Sequence, residues 1–161
     1  SLAHADPSAD WIASLAAIGA EVVIRGAKGN RSLAIEDFVT GVFEVALAGG
    51  ELLEAVRIPR LSRGARWGYY KICRKTGELA QAIAAVLHDP ERGVFRAVIG
   101  ATETTPVVFS NARELLSGKA NGGFDRVAAA RALDAAGMTD AYDNHIHVVA
   151  LQRALAQAGL A

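Results

Sequence analysis

The stretch from Gly68 to Leu87 (GYYKICRKTGELAQAIAAVL) constrains the fold of this chain more than any other. Side chains alternate across a strand, so Tyr69 and Lys71 fall on one face of the strand that opens this stretch. Residues 74–78 are polar and turn-prone and cannot continue that strand. Residues 80–87 are almost entirely apolar, which is typical of a strand buried on both faces, although periodicity alone leaves a helix open. The stretch therefore predicts a hairpin closed by a basic turn.

The basic turn has two interpretations. Lys71, Arg74 and Lys75 would lie beside a buried hairpin, where they suit contact with an anion or a cofactor. The same charges also suit a turn that is simply solvated, and the residues alone leave both readings open.

Composition bounds the class of protein. The chain has 161 residues, of which 52% are hydrophobic and 21% charged, enough for one sizeable core or for two small units that share an interface. The 17 basic residues equal the 17 acidic ones, so no overall field attracts nucleic acid or an anionic membrane. Cys73 is the only cysteine, which excludes an internal disulfide or a cysteine-based metal site and favours a cytoplasmic setting. No apolar run reaches the roughly 18–20 residues that span a bilayer, so we expect no membrane span.

The first part of the chain predicts one helix followed by strands. Asp6 is placed as the N-cap of the helix and Pro7 as its first residue, and Gly19 ends it. The following segments are a hairpin of strands 21–25 and 31–35, a short helical or irregular piece over 36–43, and a strand over 51–59.

The second part predicts strands first and helices last. After a basic loop over 60–66 come the central hairpin, a third strand over 94–101 and a short edge segment over 106–109. Helices follow at 111–116, 125–136 and 143–158, with a glycine-containing linker around Gly118 and Gly122. This order favours an α+β fold with an antiparallel three-stranded sheet packed with three helices, rather than a parallel α/β sheet.

Two groups of residues are candidates for chemistry. His145 and His147 are two apart and would point to nearly opposite sides of a helix, so we expect partly exposed histidines and no metal site. Asp10 follows His4 near the predicted helix start, where backbone N–H groups and the helix dipole attract polar ligand atoms. From the residues alone, the default interpretation of Asp10 is an ordinary acid in a first helical turn. No motif indicates a catalytic nucleophile or any other catalytic residue in this chain.

Four segments, in order along the chain, carry a resemblance to a known family. They are Ser1–Asp10 (SLAHADPSAD), Gly50–Pro59 (GELLEAVRIP), Tyr70–Ala80 (YKICRKTGELA) and Val98–Val107 (VIGATETTPV). The first is similar to the stretch after the family's Thr-Ile-Gly-Gly flavin loop, and the third to its aromatic-Lys-x-x-Arg-Arg-x-Gly-Asp-aromatic-Ala pattern. The chain thus resembles the C-terminal part of the FAD-binding medium subunit of molybdenum hydroxylases, the family of carbon monoxide dehydrogenase and xanthine dehydrogenase.

The resemblance implies a domain division and a set of cofactor contacts. Residues 1–62 would be the end of the FAD-binding domain, and residues 63–161 the family's C-terminal domain. The FAD contacts that it implies are His4 and Asp10 along the ribityl and pyrophosphate side, Leu52 and Leu53 against the apolar flavin surface, and Lys71 at the isoalloxazine. Leu79 stands where the family commonly has an aromatic residue beside the flavin.

The resemblance also implies a function. The parent would be an FAD-dependent oxidoreductase subunit that takes electrons from 2Fe–2S clusters on a small subunit and passes them through FAD to an acceptor. Substrate chemistry would occur at a molybdenum cofactor in a large subunit. The family's N-terminal FAD subdomain would lie upstream of Ser1, so we expect this chain alone to bind FAD weakly or not at all and to be inactive. The alternative is a non-catalytic assembly domain whose flavin site has decayed.

Overall fold

The computed structural model describes residues 1–116 and 123–160 and has mixed α+β architecture. Its helices are α1 (Asp10–Ala17), α2 (Ile35–Phe38), α3 (Arg126–Ala135) and α4 (Ala141–Gln157), with 3-10 turns at Pro90–Arg92 and Ala112–Leu115. Its strands are β1 (Glu21–Gly26), β2 (Gly29–Ala34), β3 (Val39–Gly41), β4 (Glu44–Val45), β5 (Leu52–Arg57), β6 (Arg66–Ile72), β7 (Ala82–Asp89), β8 (Val94–Gly100) and β9 (Val107–Phe109). Gly118 and Gly122, predicted as part of a linker, lie outside the described residues.

The first part of the chain forms an antiparallel sheet in the order β2-β1-β5. The predicted hairpin of β1 and β2 is confirmed. Its partner β5 covers most of the strand predicted over 51–59. The segment predicted as helical or irregular divides into the single turn α2 and the strand β3, which pairs with β4.

The second part forms an antiparallel sheet in the order β6-β7-β8-β9. The predicted hairpin is confirmed, and the short edge segment pairs with β8, so the sheet has four strands where three were expected. Strand β7 is buried on both faces, as its composition predicted. Ala84 and Val86 belong to the hydrophobic cluster that includes α4, whereas Ile83 and Ala85 belong to the cluster that includes α1.

Two glycines let the helices approach this sheet closely. A methyl group on Gly68 of β6 would lie 1.9 Å from the carbonyl oxygen of Ala154 in α4. On the other face, a methyl group on Gly100 of β8 would lie 2.9 Å from Cβ of Ala13 in α1. Helices α4 and α1 therefore cover opposite faces of the sheet, each at a position without a side chain.

The predicted start of the first helix was wrong. Helix α1 begins at Asp10, and Asp6 instead accepts a hydrogen bond from the N–H of Ser8 at 2.9 Å, so its carboxylate closes a turn rather than capping a helix. The carbonyl oxygen of Pro7 accepts a hydrogen bond from Ala101 N–H at 3.0 Å, which holds the turn against the end of β8.

The last helix begins two residues earlier than predicted, because Asp140 caps it. The Asp140 carboxylate accepts hydrogen bonds from the N–H groups of Tyr142 and Asp143, each at 2.9 Å. His145 is exposed as expected, but the prediction for His147 was wrong, since this side chain is only 1% exposed.

One hydrophobic cluster joins the two parts of the chain. It contains Ile12 and Leu15 of α1 and Ile24 of β1 together with Ile83 and Val98 of the second sheet. The boundary expected near residue 62 falls between the two sheets and stays a prediction. Within the described residues, no helix is long and apolar enough to cross a membrane.

Candidate functional site

Three polar side chains meet where α1 begins. The Asp10 carboxylate accepts a hydrogen bond from the Tyr69 hydroxyl, and its Oδ1 lies 3.2 Å from Nζ of Lys71. Tyr69 and Lys71 reach the same carboxylate because they are two residues apart on β6 and so share the face that α1 covers. The alternation in the sequence predicted this shared face, but it did not single out Tyr69 as a site residue.

Burial and charge set the state of these groups. Burial, followed by the hydrogen bond to Asp10, raises the pKa of Tyr69 well above its ordinary value, so the phenol remains a donor to the carboxylate. The side chain of Asp10 is 54% exposed and that of Lys71 is 23% exposed, so solvent reaches the ion pair. The carboxylate can accept further hydrogen bonds, and the ammonium group can interact with a further anionic partner.

His4 lies in the turn before α1 and has a different neighbour. Its ring is exposed and tilts against the ring of Phe43, with the ring centroids 5.0 Å apart. Within residues 1–116 and 123–160, no hydrogen bond, ion pair or ring contact joins His4 to Asp10 or Lys71. The structure therefore brings Asp10 and Lys71 together but leaves His4 in a separate contact.

Strained backbone surrounds the same turn. Ala5, Phe43 and Ala101 have left-handed φ angles of 51°, 58° and 59°, a region that residues with a side chain rarely adopt. They are tied to the turn by hydrogen bonds, from Phe43 N–H to the carbonyl oxygen of Ala5 and from Ala101 N–H to that of Pro7, each at 3.0 Å. Such conformations cost about 1–3 kcal/mol each and persist where surrounding contacts fix them, often at ligand sites.

An open apolar groove of about 390 Å³ lies beside the turn. Leu53 lines it together with Leu2, Trp11 and Val56. Adjacent residues of a strand point to opposite faces, so Leu52 is directed away and is 55% exposed. The structure therefore brings Leu53 but not Leu52 to this groove. Trp11, the second residue of α1, is 57% exposed at the groove.

The turn after β6 is solvated. Arg74, Lys75 and Glu78 are exposed, and Leu79 is 65% exposed. Of the basic residues in the opening stretch, Lys71 is the one that pairs with Asp10. The described residues contain no group of three or more potential metal ligands.

The chain resembles known proteins over both of its parts. Residues 1–61 match the family model described as the FAD binding domain in molybdopterin dehydrogenase. The carbon monoxide dehydrogenase medium chain of Afipia carboxidovorans is 36% identical over 121 residues, which are 73% of this chain and 42% of that protein. The solved carbon monoxide dehydrogenase of Hydrogenophaga pseudoflava, which lacks the Mo-pyranopterin moiety, superimposes with a TM-score of 0.79 at 30% identity, covering 98% of this chain and 58% of that one. This chain belongs to the FAD-binding medium subunits of molybdenum hydroxylases.

A relative that is named for a different substrate has a similar level of identity to this chain. The caffeine dehydrogenase subunit beta of Pseudomonas sp. (strain CBB1) is 32% identical over 122 residues, 73% of this chain and 41% of that protein. The chain thus spans less than half the length of these curated relatives. In this medium-subunit chain, Asp10 lies within the residues matched to the FAD-binding domain, whereas Tyr69 and Lys71 lie beyond them. The polar cluster therefore joins the matched region to the sheet that follows it.

Proposed function

We propose that this chain forms the flavin-facing part of a medium subunit in an oxidoreductase complex. In that complex, iron–sulfur clusters on a small subunit supply electrons, FAD passes them to an acceptor, and a molybdenum cofactor on a large subunit carries out the substrate chemistry. The observation that carries the proposal is the Asp10–Lys71 ion pair, since it stands at a helix N-terminus beside an open apolar groove.

The side chains present fit FAD. Asp10 can accept hydrogen bonds from hydroxyl groups of the ribityl chain, and the positive end of α1 favours anionic oxygens. Lys71 would stabilise negative charge on the flavin ring, because it is partly removed from solvent. Leu53 and Trp11 offer apolar surface, and we keep His4 as a contact on the ribityl and pyrophosphate side. FAD, when bound, supplies the electron-carrying chemistry.

The test is FAD affinity in the complete medium subunit that contains this chain. Lys71→Ala and Asp10→Ala each remove a charged partner, and we expect FAD to bind about tenfold more weakly in each. Lys28→Ala is the matched control, because Lys28 is an exposed lysine in the turn between β1 and β2. Equal FAD affinity in all variants would remove Asp10 and Lys71 from the site.

A second outcome separates this function from its alternative. A folded complete subunit that takes up no FAD would favour an assembly domain with a decayed flavin site. The exposed Leu79, which stands where the family commonly has an aromatic residue, would then support that interpretation.

The free thiol of Cys73, the chain's single cysteine, supports the cytoplasmic location that we include in the proposal.

A further inference from the structure

Helix α1 has no side-chain cap at the end where Asp10 lies. Ala9 precedes α1 and has no side chain that could cap it. Pro7 has no N–H, and the local hydrogen bonds nearest Asp10 are those that Asp6 accepts from the N–H groups of Ser8 and Ala9. Earlier in the turn, Ala5 N–H donates to the carbonyl oxygens of Ser1 and Leu2. The turn also contains left-handed Ala5. Contacts from elsewhere in the chain add to these local bonds.

One such contact runs through Ala101, at the end of β8. Its N–H donates to the carbonyl oxygen of Pro7 at 3.0 Å. Its own φ of 59° lies in the left-handed region, which alanine rarely adopts and which persists where surrounding contacts fix it. The carbonyl oxygen of Ala101 is held by the ring of His147, with Nε2 at 3.1 Å.

His147 is well anchored on α4. Its side chain is 1% exposed, and Nδ1 lies 2.7 Å from the carbonyl oxygen of Asp143, one helical turn earlier. Both of its partners are carbonyl oxygens, which only accept, so a neutral ring donates to one of them. The contact with Ala101 is a hydrogen bond when Nε2 carries the proton. The ring thus connects α4 to the residue that follows β8.

We propose that His147 is a positioning residue for the flavin-facing site, holding through Ala101 and Pro7 the turn from which Asp10 begins α1. His147 touches neither Asp10 nor Lys71; it acts from the helix on the opposite face of the sheet. Its relevance to FAD rests on the function proposed above, but the positioning itself is measurable without FAD.

Two substitutions at His147 distinguish the contact made by Nε2 from the contact made by Nδ1. The amide of glutamine can place a donor close to the position of Nε2, whereas that of asparagine reaches only the position of Nδ1. Amide hydrogen exchange in this chain at neutral pH reports whether the Ala101 N–H stays bonded to Pro7, the contact that His147 is proposed to support. We expect the Ala101 amide to exchange about tenfold faster in His147→Asn, and close to the wild-type rate in His147→Gln. The amide of buried Leu151 in α4 reports global stability and should change less in either variant.

Several results would overturn the proposal. If the amides of Ala101 and Leu151 exchanged faster by the same factor, His147 would matter only for global stability. If the Ala101 amide exchanged at the same rate in the Gln and Asn variants, the Nε2 contact would not hold Ala101. If the variants do not fold, the ring nitrogen chemical shifts of wild-type His147 decide, because an Nε2 without a proton cannot donate. His145→Asn, at an exposed position of α4, is the control and should leave Ala101 unchanged.

The same two variants also test whether His147 affects FAD affinity. In the complete subunit, His147→Asn should weaken FAD binding several-fold and His147→Gln should not. Unchanged affinity in both would confine His147 to the fold, whereas a wild-type subunit without FAD would instead remove the proposed function and leave the exchange result standing.

Discussion

Replacing Gly68 by alanine tests how the second sheet is packed. The added methyl group would lie 1.9 Å from the carbonyl oxygen and 2.8 Å from the carbonyl carbon of Ala154. These are backbone atoms of α4 and cannot rotate away, so the helix and β6 must separate by about 1 Å to restore ordinary contact. That movement would loosen the packing of Leu151 and Leu155, which are fully buried on α4. We expect a cost at the upper end of overpacking, about 3 kcal/mol of the free energy of unfolding.

The assay is equilibrium urea unfolding followed by circular dichroism, with thermal unfolding as a second measure. A loss of about 3 kcal/mol corresponds to a fall in melting temperature of about 6–12 °C for a chain of this size. Gly49→Ala is the control, because nothing lies within 4 Å of its added methyl group, and it should change stability by less than about 0.5 kcal/mol. A Gly68→Ala variant as stable as wild type would refute the close approach of α4 to β6.

Two further predictions concern the first part of the chain. Hydrogen bonds from Arg31 and from a backbone N–H lower the pKa of Glu51 to about 2 from its ordinary value of 4.5. The stabilisation that the ionised Glu51 provides is therefore complete above pH 4.5 and is lost as the pH falls through about 2. Urea midpoints at about pH 6 and pH 3 should therefore differ less in Glu51→Gln than in wild type, and equal differences would contradict this. Phe38→Ala empties a fully buried position and should cost about 3–5 kcal/mol, whereas Phe43→Ala, at a ring that is 55% exposed, should cost about 1 kcal/mol or less; equal losses in urea unfolding would contradict the assigned burial.

Local sequence patterns were sufficient to predict most of the strands. The run of small and branched residues before His88 predicted a strand buried on both faces, and alternation placed Tyr69 and Lys71 together. Both predictions hold because a sheet covered on two sides leaves little freedom to its central strand. The four motifs in order also indicated the family.

Long-range contacts explain what the sequence could not provide. Asp6 followed by proline has the pattern of a helix start, but the hydrogen bond from Ala101 to Pro7 holds these residues in a turn. The burial of His147 likewise depends on its contact with Ala101, a residue 46 positions earlier in the chain. Leu52 and Leu53 resemble one apolar surface in the sequence, and pairing with β1 assigns them to opposite faces.

The measurement that tests the flavin proposal most directly is the visible absorption spectrum of the complete medium subunit, with the released cofactor identified by mass. Our proposal predicts one FAD per subunit, and it predicts reduced FAD content in Lys71→Ala beside a normal content in Lys28→Ala. A folded, colourless subunit that takes up no added FAD would contradict it.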